Sequence, residues 1–279
     1  MSISASQRIG VVGLGIIGSR VAENLGKAGY EVFVWSRSPR AIPNFLASPR
    51  EVAESALTLQ IFVRDDAALM AAVDEMLPAL TPAHLILNHA TVSPDATREA
   101  AGRIATTGAG FLDAPFTGSK MAAQNGKLVY YIGGDSALLP LAEPVLRASG
   151  VKIMHMGKVG DATVLKIATN LITAVTVKGV QEALALTQSQ GVDARKLLEV
   201  EEPNANFSPL IGMKLPAMIE QNFEAHFSLQ NMLKDADFAL ALAAGSGVPL
   251  TALQAMADAM RAAKDAGKGD SDFSVIGAA

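Results

Sequence analysis

A glycine-rich turn near the start of the chain is the feature that most restricts its fold. Apolar residues run from Ile9 to Val12 and predict a short buried strand. Gly13, Gly15 and Gly18 follow in G-x-G-x-x-G order, and an amphipathic segment comes next. In a strand–turn–helix unit, the first glycine permits the tight turn. The second lets a pyrophosphate approach the backbone, and the third lets the helix pack closely on the strand. The sequence therefore predicts a dinucleotide-binding domain.

The end of the next strand indicates which dinucleotide is bound. A strand is predicted at Glu31–Trp35, and Ser36, Arg37 and Ser38 follow it. Enzymes that use NAD usually carry a carboxylate here, which accepts hydrogen bonds from the ribose hydroxyls. A guanidinium instead binds a 2′-phosphate through paired hydrogen bonds, and a hydroxyl can add another. An ordinary exposed loop arginine is the alternative. The sequence favours NADPH (NADP+) as the cofactor.

Composition and charge argue against nucleic-acid binding, metal binding and membrane insertion. A net charge of −4 over 279 residues gives no basic surface for nucleic acid. The absence of cysteine excludes disulfides and thiolate metal sites, and the histidines show no ligand spacing, so no metal is predicted. The polar N-terminus does not look like a signal peptide, and Lys178 and Glu182 interrupt the best candidate for a membrane span. We expect a cytoplasmic protein without a membrane partner.

Short apolar runs alternate with helical patterns in the first part of the chain. This alternation predicts an α/β fold with a Rossmann-like, doubly wound and mostly parallel sheet. The remaining strands are predicted at Leu57–Val63, His84–Asn88, Gly110–Leu112, Leu128–Gly133 and Val151–His155. The segment after Pro39 leaves little room for a helix before Pro49–Val52.

The alternation stops near residues 157–160, and nearly everything from Asp161 onward reads as helix. A long helix is predicted over about Thr163–Gln190, with four shorter helices after it. We therefore predict an NADP-binding Rossmann-like domain over residues 1–160. An all-α C-terminal domain, for substrate binding and dimerisation, is predicted over residues 161–279 and is joined to the first by the long helix.

The predicted reaction chemistry lies beyond the carboxyl ends of the strands, where open α/β sheets bind their ligands. The loop after the fifth strand, residues 113–120, is rich in glycine, proline and hydroxyls and offers backbone N–H groups to a carboxylate. Lys166 and Asn170 share one face of the long helix. Hydride transfer to a carbonyl needs a proton donor for the oxygen, and a partly buried lysine can serve. A solvated helix lysine is the alternative interpretation of Lys166.

Four separated blocks of sequence, in order along the chain, carry a family resemblance. The first is the glycine turn with Asn24-Leu25 and Ala28-Gly29, and the second runs from Phe111-Leu112-Asp113-Ala114-Pro115 through Gly118 to Asn125-Gly126-Lys127-Leu128. The third is Gly157–Gly160 with Lys166 and Asn170, and the fourth is Lys234-Asp235 with Ala239-Leu240-Ala241. Together they resemble the β-hydroxyacid dehydrogenases, the group of 3-hydroxyisobutyrate dehydrogenase. Gly118-Ser119-Lys120 and Gly269–Ser274 are most similar to the glyoxylate/succinic semialdehyde reductase branch, whose members mostly use NADPH.

The resemblance implies a role for each matching residue. Lys166 matches the catalytic lysine, which acts as general acid and base. Substrate-binding roles are implied for Thr117, Gly118, Asn170, Phe227 and Asp235. The full set of predicted cofactor contacts, which combines the resemblance with the glycine turn and the strand ends, is Gly13, Leu14, Gly15, Ile16, Ile17, Gly18, Ser36, Arg37, Ser38, Val63, Thr91 and Lys234.

The resemblance implies an NADPH-dependent reductase of a small carboxylate-bearing aldehyde or keto substrate, such as glyoxylate or succinic semialdehyde. It also implies a homodimer or higher homo-oligomer. An imine reductase-like enzyme is one alternative, although an acid or a tyrosine generally stands there in place of Lys166. A non-catalytic NADPH-binding sensor is another. Departures from the family pattern are Thr117 for serine, Phe116 for valine, His89 in place of methionine, and Arg64.

Overall fold

Two compact units make up the chain in the computed structural model, which describes residues 7–278. The first unit extends to Lys166 and the second begins at Ile167. The division falls inside helix α7 (Asp161–Ser189), six residues after the boundary predicted at 160/161. The polar N-terminal segment considered above lies, apart from Gln7, outside the described residues.

One mixed sheet organises the first unit. Its strands are β1 (Arg8–Val12), β2 (Glu31–Trp35), β3 (Thr58–Ile61), β4 (Leu85–Asn88), β5 (Gly110–Asp113), β6 (Phe116–Thr117), β7 (Leu128–Gly134) and β8 (Gly150–Gly157). The order is β2-β1-β3-β4-β5-β7-β6, with β8 paired to β7. The first five strands are parallel, as the alternating sequence pattern predicts.

Strand β7 runs antiparallel to β5 and was not predicted to reverse. The link between these strands holds only the two-residue strand β6 and the five-residue helix α5 (Lys120–Gln124). A parallel crossover needs a connection long enough to cover one face of the sheet, and α5 is too short for that. The chain therefore turns back, and β6 and β5 both pair with β7 in antiparallel fashion.

Helices cover both faces of the sheet. They are α1 (Ile16–Lys27), α2 (Pro49–Ser55), α3 (Asp66–Met76), α4 (Pro94–Ala105), α5 and α6 (Leu139–Arg147). Along β3, Leu59 and Ile61 belong to one buried cluster, whereas Val11 and Leu87 on the neighbouring strands belong to the cluster on the opposite face. Strands buried on both faces explain the nearly unbroken apolar runs in the sequence.

No helix lies between Pro39 and Ser48, as expected, but helix α2 begins at Pro49 and was not predicted. Ser48 caps it by accepting a hydrogen bond from the Glu51 amide, and Pro49 occupies its first turn. Both residues are favoured at these positions. The serine oxygen accepts a hydrogen bond from an amide that has no partner within the helix, and proline has no amide hydrogen that would need a partner. The Ser-Pro pair was therefore a start signal that the pattern analysis missed.

The second unit is built from helices, as predicted. They are the part of α7 from Ile167 onward, α8 (Ala194–Glu201), α9 (Pro209–Ile219), α10 (Leu229–Ser246) and α11 (Thr251–Ala263), followed by a π-helical turn (Lys264–Lys268) and a 3₁₀ turn (Phe273–Gly277). Their core includes Val177, Leu215, Met232 and Met256. Helix α10 ends at Gly247, whose φ of 69° is the left-handed conformation typical of a helix terminus.

Helix α7 is the one helix among residues 7–278 that is long and apolar enough, by length and composition alone, to cross a membrane. This differs from the sequence expectation that Lys178 and Glu182 exclude a membrane span. A mostly buried core helix of a water-soluble protein can pass the same test. In α7, Ile167, Ala174 and Val177 are buried in the core of the second unit, whereas Ile172 and Leu186 are exposed.

Candidate active site

The glycine turn between β1 and α1 has the geometry of a phosphate cradle. Gly13 has a φ of 105°, and a Cβ atom there would lie 2.2 Å from the Phe62 carbonyl oxygen. A Cβ atom on Gly18 would lie 2.0 Å from the Gly13 carbonyl oxygen, so close helix–strand packing requires glycine. Gly15 stands exposed at the start of α1, with no atom within 4 Å of its Cβ position.

The N-terminus of α1 is suited to an anion. Its N-cap residue is Gly15, which offers no side-chain acceptor, and the first turn contains no acidic residue. The first amides of the helix therefore keep their hydrogen-bonding capacity for a ligand, and the helix dipole favours negative charge there. The turn fits the pyrophosphate of a dinucleotide, with Leu14, Ile16 and Ile17 as the residues around Gly15.

The loop after β2 carries the residues predicted to select the cofactor. Arg37 and Ser38 are exposed, and the Ser36 hydroxyl donates a 2.7 Å hydrogen bond to the Ser38 carbonyl oxygen. Sequence reasoning missed Arg40, whose guanidinium donates a 2.5 Å hydrogen bond to the Leu14 carbonyl oxygen. Arg40 thereby brings a positive charge to the glycine turn. The available signal was a second arginine three residues after Arg37.

The neighbouring strand ends carry the other predicted cofactor contacts of this unit. Val63 lies in the loop after β3, because that strand ends at Ile61, and Thr91 lies in the loop after β4. Both residues are half-buried. Arg64 is exposed and forms a 3.3 Å ion pair with Asp65, the residue that caps α3.

His89 occupies a buried aromatic cluster. Its ring stacks on Phe62, with ring centroids 4.5 Å apart, and lies 5.2 Å from the ring of Tyr130. Nδ1 donates a hydrogen bond to the Ala114 carbonyl oxygen at 2.6 Å, while Nε2 is buried without a hydrogen-bond partner among the described residues. Burial lowers the pKa of His89 to about 4, although the bond to Ala114 raises it. His89 is therefore a neutral packing residue at physiological pH.

Asp113 connects the end of β5 with the start of α7. Its buried carboxylate accepts hydrogen bonds from the Gly160 amide at 3.0 Å, the Thr163 amide at 2.9 Å and the Thr163 hydroxyl at 2.7 Å. Lys166 lies one helical turn beyond Thr163 and is half-buried. Sequence reasoning quoted Asp113 only as part of a motif, because these partners are 47 and 50 residues away.

Thr117 and Gly118 follow Asp113 closely along the chain. Thr117 is half-buried and pairs with Val129 in the short β6–β7 ladder, and β6 is the last strand of the sheet order, next to β7. Gly118 has a φ of 138°, and a Cβ atom there would lie 2.8 Å from the Leu128 side chain. Glycine is therefore required where the chain turns into α5.

In the second unit, a buried chain of polar contacts orients Asn170. The Asn170 side-chain nitrogen donates a 2.6 Å hydrogen bond to Asp235, whose other oxygen lies 2.8 Å from the Lys234 ammonium. Lys234 also lies over the ring of Phe238. Because a carboxylate only accepts, the amide nitrogen of Asn170 points to Asp235 and its carbonyl oxygen points away. Asp235 is 2% exposed.

Phe227 is held by the segment that contains Asp272. The Phe227 amide donates to the Asp272 carboxylate at 3.2 Å, and its ring meets Phe273 edge-on. Asp272 also accepts a 2.7 Å bond from Lys214, a buried lysine on α9. Burial raises the pKa of Asp272, but the bonds from Lys214 and Ser274 outweigh this effect and hold it below its usual value. A single lysine in the apolar α9 sequence was the signal that could have pointed to this pair.

No group of three or more histidine, aspartate or glutamate side chains within residues 7–278 is arranged to hold a metal ion. The predicted catalytic and substrate-binding residues of the first unit are Lys166, Thr117 and Gly118, and the glycine turn is the predicted dinucleotide site.

Comparison with known proteins gives the family. Residues 8–157 match the model described as the NAD binding domain of 6-phosphogluconate dehydrogenase, and residues 160–278 match that of the NAD-binding domain of NADP-dependent 3-hydroxyisobutyrate dehydrogenase. The chain is 30% identical over 278 residues to glyoxylate/succinic semialdehyde reductase 2, chloroplastic, of Arabidopsis thaliana, across 96% of this chain and 78% of that protein. The chain belongs to the β-hydroxyacid dehydrogenase family.

Solved structures agree with this family. A Mycobacterium tuberculosis 3-hydroxyisobutyrate dehydrogenase, studied with L-serine, superposes with a TM-score of 0.88 at 26% identity and 97% coverage of both chains. An imine reductase from Myxococcus stipitatus in complex with NADP+ gives a TM-score of 0.66 at 22% identity, across 96% of this chain and 98% of that one, and shares the fold. Both the predicted family and the predicted fold class are confirmed. As a β-hydroxyacid dehydrogenase, the protein uses a nicotinamide cofactor.

Proposed function

We propose that this protein is an NADPH-dependent reductase of a small carboxylate-bearing aldehyde or 2-oxo acid, of the glyoxylate or succinic semialdehyde type. The observation that supports the proposal is the set of hydrogen bonds that joins Asp113, at the end of β5, to the first turn of the helix that bears Lys166. The helix that bears it begins at the carboxylate of Asp113, and the Thr117-Gly118 loop follows the same strand. The proposed proton donor on α7 and the proposed carboxylate-binding loop are thus both connected to the end of β5.

Each residue has a definite task in the proposed reaction. The amides at the start of α1 bind the pyrophosphate, and the cofactor, when bound, supplies a hydride to the carbonyl carbon. The Thr117 hydroxyl and the amides near Gly118 bind the substrate carboxylate. The Lys166 ammonium donates a proton to the carbonyl oxygen and takes it back in the reverse reaction.

The preference for NADPH is supported by the charges after β2. Arg37 and Arg40 provide two guanidinium groups, and no carboxylate occurs between Ser36 and Arg50. A carboxylate would repel a 2′-phosphate, whereas a guanidinium pairs with it. We expect Arg37→Gln to raise the KM for NADPH by tenfold or more and to change the KM for NADH less than twofold. Arg50→Gln is the control, because Arg50 is exposed and paired with Glu54 on α2. Equal effects on both cofactors would refute the assignment.

The role of Lys166 is tested by separating binding from turnover. We expect Lys166→Ala to keep the NADPH dissociation constant within about twofold, by fluorescence titration, and to lower kcat by 10²-fold or more, the typical contribution of a general acid. Lys166→Arg keeps the charge but cannot release a proton near neutral pH, so its kcat should fall by a similar factor. Lys152→Ala, at an exposed lysine on β8, is the control. A Lys166→Ala protein with normal kcat would exclude the proposed role.

The substrate is tested with purified protein against glyoxylate, succinic semialdehyde, tartronate semialdehyde, methylmalonate semialdehyde and a cyclic imine. Turnover of one aldehyde acid with NADPH supports the proposal. Turnover of the imine alone would favour the imine reductase alternative, and tight NADPH binding without any turnover would favour a sensor. The homodimer and the cytoplasmic location also remain proposals, which light scattering and cell fractionation would test.

A further inference from the structure

The start of helix α7 lacks a side-chain cap of its own. Gly160 immediately precedes the helix, where serine, threonine or aspartate would ordinarily accept a hydrogen bond from an amide of the first turn. Glycine is needed there because φ is 94° and a Cβ atom would lie 3.0 Å from the Arg98 side chain. The acceptor is instead Asp113, which lies at the end of β5.

Asp113 fixes α7 in both position and rotation. One carboxylate oxygen accepts from the Gly160 and Thr163 amides, and the other accepts from the Thr163 hydroxyl. Three bonds from two directions hold the first turn against the strand. Asp113 is fully buried, so water cannot replace it without a rearrangement of this region. Asp161, one residue into the helix, accepts from the Lys158 amide and orders the turn before it.

Lys166 follows Thr163 by three residues and Thr117 follows Asp113 by four. The bonds between Asp113 and Thr163 therefore connect two segments. One is the end of β5, which continues into the Thr117-Gly118 loop, and the other is the first turn of α7, which continues to Lys166. We propose that Asp113 is a positioning residue, which sets the place of the Lys166 ammonium relative to the Thr117-Gly118 loop. The inference rests on the proposed function, in which Lys166 is the proton donor.

The ionised form of Asp113 has the acceptors that this role needs. The pKa of Asp113 is raised to about 6, chiefly by burial. The bonds from Thr163 and Gly160 act in the opposite direction, and the nearby Asp161 raises the pKa slightly. Charged residues near this helix start include Lys158, Asp161, Arg98 and Lys166, and Asn88 lies beside Asp113 in the sheet register. Assays at pH 8 therefore compare variants with the ionised wild-type carboxylate.

The experiment measures kcat, KM and the NADPH dissociation constant at pH 8 for Asp113→Ala, Asp113→Asn and Thr163→Val. Asn keeps the shape and one oxygen acceptor for the two amides. Val keeps the amide bond of residue 163 and removes the two contacts of the Thr163 hydroxyl, with Asp113 and, at 3.4 Å, with Thr97. Ser149→Ala is the matched control, because it removes a buried 2.7 Å bond to Tyr130 in the same unit without touching α7. Circular dichroism at the assay temperature confirms that each variant is folded.

We expect Asp113→Ala to lower kcat by about 10²-fold, as misplacement by about 1 Å can, with NADPH affinity within twofold of wild type. Asp113→Asn should recover most of this loss, and Thr163→Val should lie between the two. Ser149→Ala should keep wild-type kcat although it loses about as much thermal stability as Asp113→Ala. A folded Asp113→Ala protein with wild-type kcat, or an equal loss of kcat in Ser149→Ala, would overturn the inference. If Asp113→Ala does not fold, Asp113→Asn and Thr163→Val decide by the same comparison.

The double variant Asp113→Ala/Lys166→Ala shows through which residue Asp113 acts. A residue that acts only by placing Lys166 has no further effect once Lys166 is gone, so the double variant should match Lys166→Ala. Additive losses would mean that Asp113 acts independently of Lys166, and the inference would fail while the proposed function stands. If Lys166→Ala alone retains wild-type turnover, the proposed function fails and the inference falls with it.

Discussion

Acid should destabilise the first unit through His89, and the size of the effect follows from its burial. In an unfolded chain a histidine takes up a proton near its ordinary pKa of 6.5, whereas His89 in the folded protein does so only near 4. This difference of about 2.5 in pKa, at 1.36 kcal/mol for each pKa unit, corresponds to about 3 kcal/mol of unfolding free energy. This stability is fully present above pH 6.5, where His89 is neutral in both the folded and the unfolded protein, and it is lost as the pH falls toward 4. By pH 5 about 2 kcal/mol should be gone.

The assay is urea unfolding between pH 7.5 and pH 5. Trp35 is the single tryptophan of the chain and lies on β2, so its fluorescence reports on the first unit. The variant is His89→Asn, whose side-chain nitrogen can keep the bond to the Ala114 carbonyl oxygen but does not titrate. Loss of the stacking on Phe62 will lower its stability at every pH. The quantity that tests the reasoning is therefore the change in unfolding free energy with pH, not its value at one pH.

We expect wild type to lose about 2 kcal/mol more than His89→Asn between pH 7.5 and pH 5. The carboxylates titrate alike in both proteins and cancel in the comparison. Parallel profiles would refute the reasoning, as would an NMR titration in which the His89 ring protonates near pH 6.5.

Two further predictions concern packing. Lys214→Met should lower the unfolding free energy of the second unit by about 3 kcal/mol or more, because it leaves the buried Asp272 carboxylate without its cation. Urea unfolding followed by circular dichroism measures this, and Lys214→Met/Asp272→Asn should recover part of the loss; a single variant as stable as wild type would show that the pair contributes little. Gly18→Ala should raise the NADPH dissociation constant by tenfold or more, since its Cβ atom would meet the Gly13 carbonyl oxygen. Gly26→Ala, in the same helix with open space around it, is the control, and fluorescence titrations that give equal affinities for both would contradict the prediction.

Local patterns in the sequence were sufficient for the nucleotide-binding half of the site. The spacing of Gly13, Gly15 and Gly18 predicts the cradle because strand, turn and helix are neighbours in the chain, and β2 was placed at Glu31–Trp35 as observed. The helical second unit was predicted for the same reason, since the period of apolar residues is a local property. The family resemblance singled out Lys166, whose role the residues alone left open.

Tertiary structure decided what depends on residues far apart in the chain. Asp113 meets Thr163 across 50 positions and Lys214 meets Asp272 across 58. The antiparallel course of β7 and the burial of His89 likewise depend on which strands become neighbours. Burial, charge pairing and pKa are set by the neighbours that folding brings together, and no local period in the sequence encodes them. The sequence by itself therefore determined which groups this protein has for its chemistry, whereas the fold determined how Asp113 holds the helix that carries Lys166.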